Sequence, residues 1–229
     1  MAGSDQVPTA GQPASTRERL IDSAVRLFGE RGIEGTSLRA LTDAAGSNIA
    51  AVNYHFGSKQ GLLRAVIDQT MRAVNDERRQ RLDELESAPQ PVPVAALVRA
   101  FVEPGVGLTE GHCHRGPDVA RFIGRVMSEP DRQVRQIFAE QVEPVEGRYL
   151  AAFGRALPGL DEDGVLFAYT SMVGLLSVYQ SGAFATLDWA PKNDNGIAAR
   201  VLGAVDRERL VEYITGGILA ILPAKTTTP

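Results

Sequence analysis

The sequence predicts an all-α protein with about nine helices. Apolar side chains recur at intervals of three and four residues through most of the chain, which is the periodicity of helices with one buried face. Residues that favour helix N-termini precede several of these runs, and no stretch shows the alternating pattern of a half-buried strand. The chain has 229 residues, of which 44% are hydrophobic, so it can bury a sizeable core.

Three short helices are predicted at the start of the chain. Residues 15–18 (STRE) form a capping box, in which the serine hydroxyl and the glutamate carboxylate each accept from a free backbone amide, so the first helix begins there. Gly32 ends this helix, because glycine readily adopts the left-handed conformation that follows a helix. Thr36 is predicted to cap a second helix that ends at Gly46, and Asn48 to cap a short third helix.

The remaining helices are longer. Ser58 is predicted to cap a fourth helix, which must end before residues 88–93, because three prolines there remove backbone donors. A fifth helix is predicted to stop at Pro104-Gly105 and a sixth at Glu129-Pro130. The last three begin after aspartates, and a proline interrupts the first of them; these residues are Asp131, Pro144, Asp161 and Asp206.

Residues 164–187 carry no charge and are long enough to span a membrane. Hydroxyl and amide side chains interrupt this stretch, so it is only moderately apolar. We interpret it as a buried helix and expect no membrane partner.

The overall charge does not indicate a nucleic-acid binder. The chain has 24 Lys and Arg against 28 Asp and Glu, which gives a net charge of −4. Its single cysteine excludes an intramolecular disulfide and favours a reducing compartment, and no signal peptide precedes residue 15. A cytoplasmic location is therefore expected.

The second and third predicted helices, joined at Gly46-Ser47, match a helix-turn-helix, in which the third helix enters the major groove of DNA. Asn48, Asn53 and Tyr54 supply hydrogen-bonding groups there, while the small Ala50 and Ala51 let the backbone approach the bases. Phosphate contacts are expected from Lys59, Thr36 and Thr42. Taken without further information, the same pattern also fits one end of a plain helical bundle.

Residues 36–46 (TSLRALTDAAG) and 52–62 (VNYHFGSKQGL) resemble the N-terminal domain of the TetR/AcrR family of bacterial transcriptional regulators. The resemblance covers about residues 16–67, and Gly46, Tyr54, Phe56 and Lys59 all fall at the family's spacing. It implies a homodimer, usually a repressor, that binds a palindromic operator and is released by a small molecule. The residues then expected to contact DNA are Thr36, Thr42, Ser47, Asn48, Ala50, Ala51, Asn53, Tyr54, His55 and Lys59.

The resemblance also implies a domain organisation. We expect a disordered leader at residues 1–15, a helix-turn-helix DNA-binding domain at 16–60, a helical effector-binding and dimerisation domain at 61–222, and a flexible tail at 223–229. The uncharged helix and the last helix are assigned to the dimer face, because Gly174 and Gly182 permit close approach. Effector binding is expected to shift the fourth helix and so change the spacing of the two recognition helices.

Several large side chains of the later helices are expected to line an effector pocket. They are Phe101, Arg121, Phe122, Met127, Phe138, Tyr149, Phe167, Met172 and Tyr179. Taken singly, each is more typical of a core residue than of a ligand contact. Their apolar character, with Arg121 and Arg125 nearby, indicates a hydrophobic effector with an acidic head, and the resemblance adds fatty acids or acyl derivatives as a class.

Two other classes of function are weighed against this one. His112-Cys113-His114 holds metal-ligand side chains, but three consecutive residues cannot easily surround one tetrahedral ion, so a metal-responsive regulator is an alternative only. No nucleophile elbow, phosphate loop or dinucleotide fingerprint is present, so we expect neither an enzyme nor a cofactor. A helical scaffold that binds only protein is the remaining alternative.

Overall fold

The computed structural model describes residues 14–107, 116–181 and 207–223, and the regular structure within these ranges is entirely α-helical. These ranges contain nine helices: α1 Thr16–Arg31, α2 Leu38–Ala44, α3 Ile49–Phe56, α4 Lys59–Ser87, α5 Val94–Gly107, α6 Gly116–Met127, α7 Arg132–Ala156, α8 Glu162–Ser181 and α9 Arg207–Ala220. The predicted all-α class is confirmed. The predicted cap Asp206, the residue Gly182 and the His112-Cys113-His114 loop lie outside the described residues.

The predicted caps of α1, α3 and α4 are confirmed. The Ser15 hydroxyl accepts from the Glu18 backbone amide at 3.2 Å, while the Ser15 amide donates to the Glu18 carboxylate at 2.8 Å. Asn48 and Ser58 likewise accept from backbone amides in the first turns of α3 and α4. Gly32, which follows α1, has φ +78°, the left-handed conformation expected there.

The predicted cap of α2 is wrong by one residue. Ser37 caps this helix, because its hydroxyl accepts from the Ala40 amide at 3.1 Å. Thr36 is fully buried instead, and its hydroxyl lies 2.7 Å from the carbonyl oxygen of Gly32 and 3.2 Å from that of Leu27. The Thr36 hydroxyl therefore bonds carbonyls at the C-terminal end of α1, whereas the Ser37 hydroxyl caps the N-terminus of α2.

The helices after α4 follow the predicted order with one difference. Ser87 ends α4 just before the three prolines, and the side chains of Asp131 and Asp161 accept from amides at the starts of α7 and α8. Pro104-Gly105 does not stop α5, which continues to Gly107. Both of those residues are buried, so packing against neighbouring helices holds the last turn in place.

The described helices enclose two hydrophobic cores. The first contains α1, α2, α3 and the start of α4, and it extends to residues of α6 and α7, which are Phe122, Ile123, Val126, Val134 and Ile137. The second lies among the end of α4, α5, α7, α8 and α9. Because α6 contributes directly to the first core, the N-terminal three-helix unit is packed onto the larger helical portion rather than tethered to it.

The contact between α1 and α6 is unusually close at Gly29. A methyl group added there would lie 3.3 Å from the backbone nitrogen of Phe122 and 3.5 Å from the carbonyl oxygen of Asp118. Beside it, the rings of Phe28 and Phe122 are 6.2 Å apart between centroids. The absence of a side chain at Gly29 thus allows the two helix backbones to approach each other.

None of the described helices combines the length and the hydropathy needed to cross a bilayer. Helix α8, which is charged only in its first turn, buries Tyr169, Met172 and Leu176, but it leaves Leu166 and Phe167 exposed. It is therefore buried on one face only, where the sequence predicted burial on most faces.

We predict that Gly29→Ala lowers the free energy of unfolding by about 1 kcal/mol or more relative to Gly147→Ala. Both glycines lie inside helices, where alanine is intrinsically favoured, but a methyl group at Gly147 meets no neighbouring atom. Urea unfolding of the two variants measures the difference. Equal stabilisation by both substitutions would contradict the close α1–α6 contact.

Candidate DNA-binding surface and effector cavity

Helix α3 has one buried anchor and a broad exposed surface. Val52 is fully buried in the first core and fixes the orientation of the helix. The side chains exposed on the other faces are Asn48, Ile49, Ala50, Asn53, Tyr54 and His55, while Ala51 and Ser47 are half-buried. Most of the predicted DNA contacts in and before α3 therefore lie together on one accessible surface.

Aromatic rings continue this surface at the C-terminal end of α3. Tyr54 is 85% exposed, and its ring packs edge-on against His55 with 5.0 Å between centroids. The His55 and Phe56 rings are 6.0 Å apart, and the Arg17 guanidinium of α1 lies 5.5 Å from the Phe56 ring. This arrangement brings close to α3 a cation of α1 that the sequence pattern did not indicate.

Lys59 is half-buried at the start of α4. Its ammonium group donates to the carbonyl oxygen of Ile33 at 2.6 Å, which ties α4 to the loop between α1 and α2. An ammonium group has two further N–H donors, so this bond leaves donors for a phosphate. The predicted phosphate contact of Lys59 stays a prediction.

Two of the predicted DNA contacts are corrected by the structure. Thr36 is fully buried and Thr42 is 2% exposed, and the Thr42 hydroxyl donates to the carbonyl oxygen of Arg39 at 3.0 Å. Neither side chain can reach a phosphate in this conformation, because both hydroxyls satisfy carbonyls inside the unit. Arg39 itself extends into solvent, with its side chain 87% exposed. Nothing in the sequence distinguishes Arg39, as a possible DNA contact, from any other surface arginine.

A cavity of about 180 Å³ lies among α4, α5, α6, α7 and α8. Its walls are mainly apolar, with a few polar side chains. The lining residues are Met71, Val74, Asn75, Arg78, Phe101, Ile123, Met127, Phe138, Val142, Val145, Glu146, Tyr169, Val173, Leu176 and Gln180. A mostly apolar cavity with a few placed polar groups is the usual form of a small-molecule site.

The structure places three of the nine predicted pocket residues in this lining, namely Phe101, Met127 and Phe138. Of the others, Phe122, Tyr149 and Met172 are buried between helices in the two cores. Phe167 and Tyr179 are exposed to solvent in the described part of the chain. The sequence correctly identified six of these positions as buried or half-buried, but helical periodicity does not separate a face that meets a cavity from one that meets another helix.

Arg121 is also corrected. Its guanidinium pairs with Asp118 at 3.3 Å on the surface of α6, and Arg125 is exposed, so neither lines the cavity. The cation in the cavity is Arg78. A signal for it exists in the sequence, because Arg78 follows Val74 and precedes Leu82 by four residues each and therefore lies on the apolar stripe of α4.

Arg78 is buried, with only 6% of the residue exposed, and two contacts to Phe101 fix its guanidinium. Its Nε donates to the carbonyl oxygen of Phe101 at 3.0 Å, and its Cζ lies 3.8 Å from the centroid of the Phe101 ring. Burial lowers the pKa of Arg78 to about 10, so the group is still protonated at neutral pH. Tyr149 packs on the same ring and donates its hydroxyl to the Arg78 carbonyl at 3.0 Å.

The other polar side chains of the cavity are Asn75, Gln180 and Glu146. The Asn75 amide nitrogen donates to the Gln141 carbonyl at 2.9 Å, and the Gln180 amide nitrogen donates to the Gly105 carbonyl at 3.1 Å. Glu146 is half-buried, and burial, with a smaller effect of Glu143, raises the pKa of its carboxyl. The amide nitrogens of Asn75 and Gln180 are thus used in bonds to backbone carbonyls. The charged side chains of the lining are Arg78 and Glu146.

A second apolar surface lies outside the cavity, on α8 and α9. Tyr213 is 75% and Phe167 is 61% exposed, and Leu166, Leu219 and Ile221 are also exposed. A cleft between the two helices is lined by Phe167, Ala168, Ser171, Met172, Leu175, Tyr213, Ile214, Gly217, Ile218 and Ile221. Exposed apolar patches of this kind mark association surfaces. Gly174, predicted for such a face, has open space around it.

Two family models match the chain. The model described as "Bacterial regulatory proteins, tetR family" matches residues 20–66, and the model described as "Tetracyclin repressor-like, C-terminal domain" matches residues 99–217. Together they cover the three-helix unit and most of the cavity-forming helices.

Curated relatives agree with the family models. The HTH-type transcriptional repressor AcnR of Corynebacterium efficiens is 37% identical over 60 residues, which are 26% of this chain and 32% of the relative. HTH-type transcriptional regulator BetI of Burkholderia mallei is 26% identical over 152 residues, 66% of this chain and 74% of the relative. The matched segment spans 32% of the length of AcnR and 27% of the length of the probable regulator YttP of Bacillus subtilis. These two matches therefore cover a third of the relative or less.

Solved structures show the same fold. The fatty acid degradation regulator FadR from Bacillus halodurans has a TM-score of 0.63 at 16% identity, with 93% of this chain and 98% of that chain covered. The TetR family regulator PfmR from Thermus thermophilus has a TM-score of 0.57 at 18% identity, with 92% and 97% covered. At these identities the similarity establishes the fold alone.

We predict that Thr36→Val lowers the free energy of unfolding by about 1–2 kcal/mol, because the hydrogen bond of the buried hydroxyl to the Gly32 carbonyl, the nearer of its two possible acceptors, is lost. Its affinity for DNA, measured well below the melting temperature, should stay close to that of the parent protein. Chemical unfolding and fluorescence anisotropy with labelled DNA measure the two quantities. Unchanged stability together with weakened DNA binding would contradict the structural role of Thr36 and support the phosphate contact predicted from the sequence.

Proposed function

The chain belongs to the TetR family of bacterial regulatory proteins, and from this premise we propose that it is a homodimeric repressor released from a palindromic operator by a small hydrophobic effector. The family assignment makes the chain a DNA-binding transcription regulator and not an enzyme. The observation that carries the finer proposal is the position of α6, which packs on α1 with one face and lines the cavity with another.

The surface of α3 supports direct reading of the operator. Asn53 carries an amide that can bond the edge of an adenine, and Ala50 can meet a thymine methyl group. No acidic residue occurs within α3, so no carboxylate of this helix opposes the approach to the phosphate backbone. Tyr54 lies near the C-terminal end of α3 and Lys59 follows that end, and we assign both side chains to phosphate contacts.

The apolar surface of α8 and α9 supports dimerisation through these two helices. A helix-turn-helix dimer reads two half-sites about one helical turn apart, so the two copies of α3 must be held at a fixed spacing. Two large aromatic side chains, Phe167 and Tyr213, stand exposed beside an apolar cleft in the described part of this surface. Pairing with a second copy would bury them and set that spacing.

Release by an effector follows from the contacts of α6. Ile123 and Met127 line the cavity, while Phe122, on the same turn as Ile123, packs against Phe28 of α1. An occupant that displaces Ile123 therefore moves the element on which α1 rests. The long helix α4 provides a second connection, since it lines the cavity at Arg78 and begins beside α3 at Lys59.

A coupling of about 1–3 kcal/mol between the two sites would change operator affinity roughly 5- to 150-fold. Such a coupling requires that the effector prefer the conformation that does not fit the operator. The close fit at Gly29 supports this coupling in mechanical terms, because packed helix backbones shift as units and do not deform continuously.

The walls of the cavity support an apolar effector, and fatty acids or acyl derivatives are the class we assign to it. Phe101, Met127 and Phe138 offer apolar contact, and the polarizable methionine adapts to irregular shapes. The similar solved structure from Bacillus halodurans is named for fatty acid degradation, which describes that protein and agrees with this assignment. The alternative is a protein scaffold that does not bind DNA, and the next experiment distinguishes it from a repressor.

We predict that Tyr54→Ala weakens operator binding at least about tenfold, a loss of about 1.4 kcal/mol, and leaves dimer and melting temperature unchanged. The operator is first selected from random double-stranded DNA with the purified protein, and affinity is then measured by fluorescence anisotropy. The side chain is 85% exposed, so its removal should not disturb the core.

A matched control is Tyr213→Ala, since Tyr213 is 75% exposed on α9. This variant should weaken the dimer in analytical ultracentrifugation and reduce operator binding only at low protein concentration. If the parent protein selects no preferred DNA sequence, the repressor proposal is rejected and the alternative of a protein scaffold without DNA binding is favoured.

We predict a modest dependence of operator binding on salt. The cations around α3 in the described ranges are few, and they include Arg17 beside Phe56, the exposed Arg39 and the half-buried Lys59. If each protomer neutralises two or three phosphates, the slope of log K against log salt concentration is roughly −4 to −5. Titrations between low and moderate salt measure it. A slope of about −10 would mean that cations outside this surface dominate binding.

A further inference from the structure

Arg78 is a buried cation in an otherwise largely apolar cavity, and the effector has to match it. We propose that the effector is an apolar monocarboxylic acid whose carboxylate binds the Arg78 guanidinium, with its apolar body against Phe101, Met127 and Phe138. This inference rests on the proposed regulatory function and specifies the ligand class. The partner of the acidic head is then Arg78 in the interior of the helical domain, and not Arg121, which the sequence pattern indicated.

The first argument is the lack of a carboxylate partner. The neighbouring arginines of α4 are paired: Arg79 with Asp76, and Arg81 with Glu77 and with Glu103 at 2.6 Å. Within the described ranges no carboxylate lies within ion-pair distance of Arg78, although this guanidinium is far more buried than the other two. Buried charges in proteins are normally paired, so a buried guanidinium without a carboxylate partner that borders a cavity is suited to bind an anion there.

The second argument is geometric. Among the described residues the Arg78 side chain uses only Nε for a hydrogen bond, to the Phe101 carbonyl, and its plane is held by the Phe101 ring 3.8 Å away. The N–H groups of Nη1 and Nη2 make no hydrogen bond to the described residues, so they can donate to a ligand. A fixed planar guanidinium with free terminal donors matches the two oxygens of a carboxylate.

The third argument is size. The cavity volume of about 180 Å³ is somewhat larger than that of an engineered apolar cavity of about 150 Å³ that binds benzene. It therefore fits a compact body such as a phenyl ring or a medium-length alkyl chain with a small head group. A neutral ligand of this size would fill the space but leave the charge of Arg78 without a partner.

Glu146 is the one group in the described lining that favours the opposite charge. Its carboxyl is half-buried, and burial together with Glu143 raises its pKa, so its negative charge is less favoured than that of an exposed glutamate. A cationic ligand would share the cavity with the Arg78 guanidinium, which already covers a face of the Phe101 ring. The remaining titratable group in the lining, Tyr169, has its pKa raised by burial and stays neutral.

Isothermal titration of the purified full-length protein tests the proposal with ligands of matched shape. The probes are octanoate and phenylacetate, their neutral counterparts 1-octanol and 2-phenylethanol, and the cation octylammonium. At least one acid should bind, about tenfold or more tighter than its alcohol, because a charge-assisted pair replaces a neutral contact. This comparison needs no variant, so it holds even where a substitution impairs folding.

Arg78→Met should weaken binding of that acid about tenfold or more while changing the affinity for the alcohol less than about threefold. Arg78→Lys should retain part of the preference, since a point charge remains without the planar donors. The matched control is Arg121→Met, which removes the surface arginine paired with Asp118 and should leave all affinities unchanged.

Three results would overturn the proposal: no acid binds, the alcohols or octylammonium bind as tightly as the acids, or Arg121→Met has the effect expected of Arg78→Met. Operator binding by the parent protein is measured separately in the absence of ligand. A protein that selects an operator but fails these titrations keeps the proposed role as an operator-binding repressor and loses the acidic effector, including the fatty-acid class assigned above. A protein that selects no operator loses the proposed function.

Discussion

The contact between α1 and α6 is the interaction on which the rest of the structure depends. It exists because Gly29 has no side chain, so the backbone of α6 lies directly against α1. The same helix places Phe122 in the core of the three-helix unit and Ile123 in the wall of the cavity. The recognition helix α3 therefore rests on a core that the cavity borders, and what fills the cavity can change what supports α3.

Arg78 imposes a second constraint, which concerns stability. Burial lowers its pKa to about 10, which means that the folded state disfavours the charged form relative to the unfolded chain. An anion at the guanidinium would favour the charged form, raise this pKa again and stabilise the folded protein. A buried cation that costs stability by itself and would recover it on binding an anion fits a ligand contact better than a purely structural role, even though its hydrogen bond to the Phe101 carbonyl also orders α5.

Local chemistry was predictable from the sequence, and tertiary context was less so. The Ser15 cap and the left-handed Gly32 depend on a few neighbouring residues, and both are found as predicted. Thr36 and Ser37 carry equivalent hydroxyls, and only the packing of α1 against the following loop decides which is buried. Likewise, periodicity marked Phe101 and Phe122 as inward-facing, but the arrangement of whole helices determines that one meets a cavity and the other meets Phe28.

The net charge of −4 shows why a total is a poor guide to binding surfaces. Many acidic residues are engaged within the helical domain, where Asp83 and Glu86 pair with Arg148, and Glu103 pairs with Arg81 and Arg99. These pairs neutralise each other far from α3, whose own sequence has no acidic residue. The two binding surfaces are then defined by local imbalance, since α3 has no carboxylate to repel phosphates and Arg78 has none to neutralise its charge among the described residues. An acidic protein can in this way bind polyanionic DNA on one surface and a small anion in its interior.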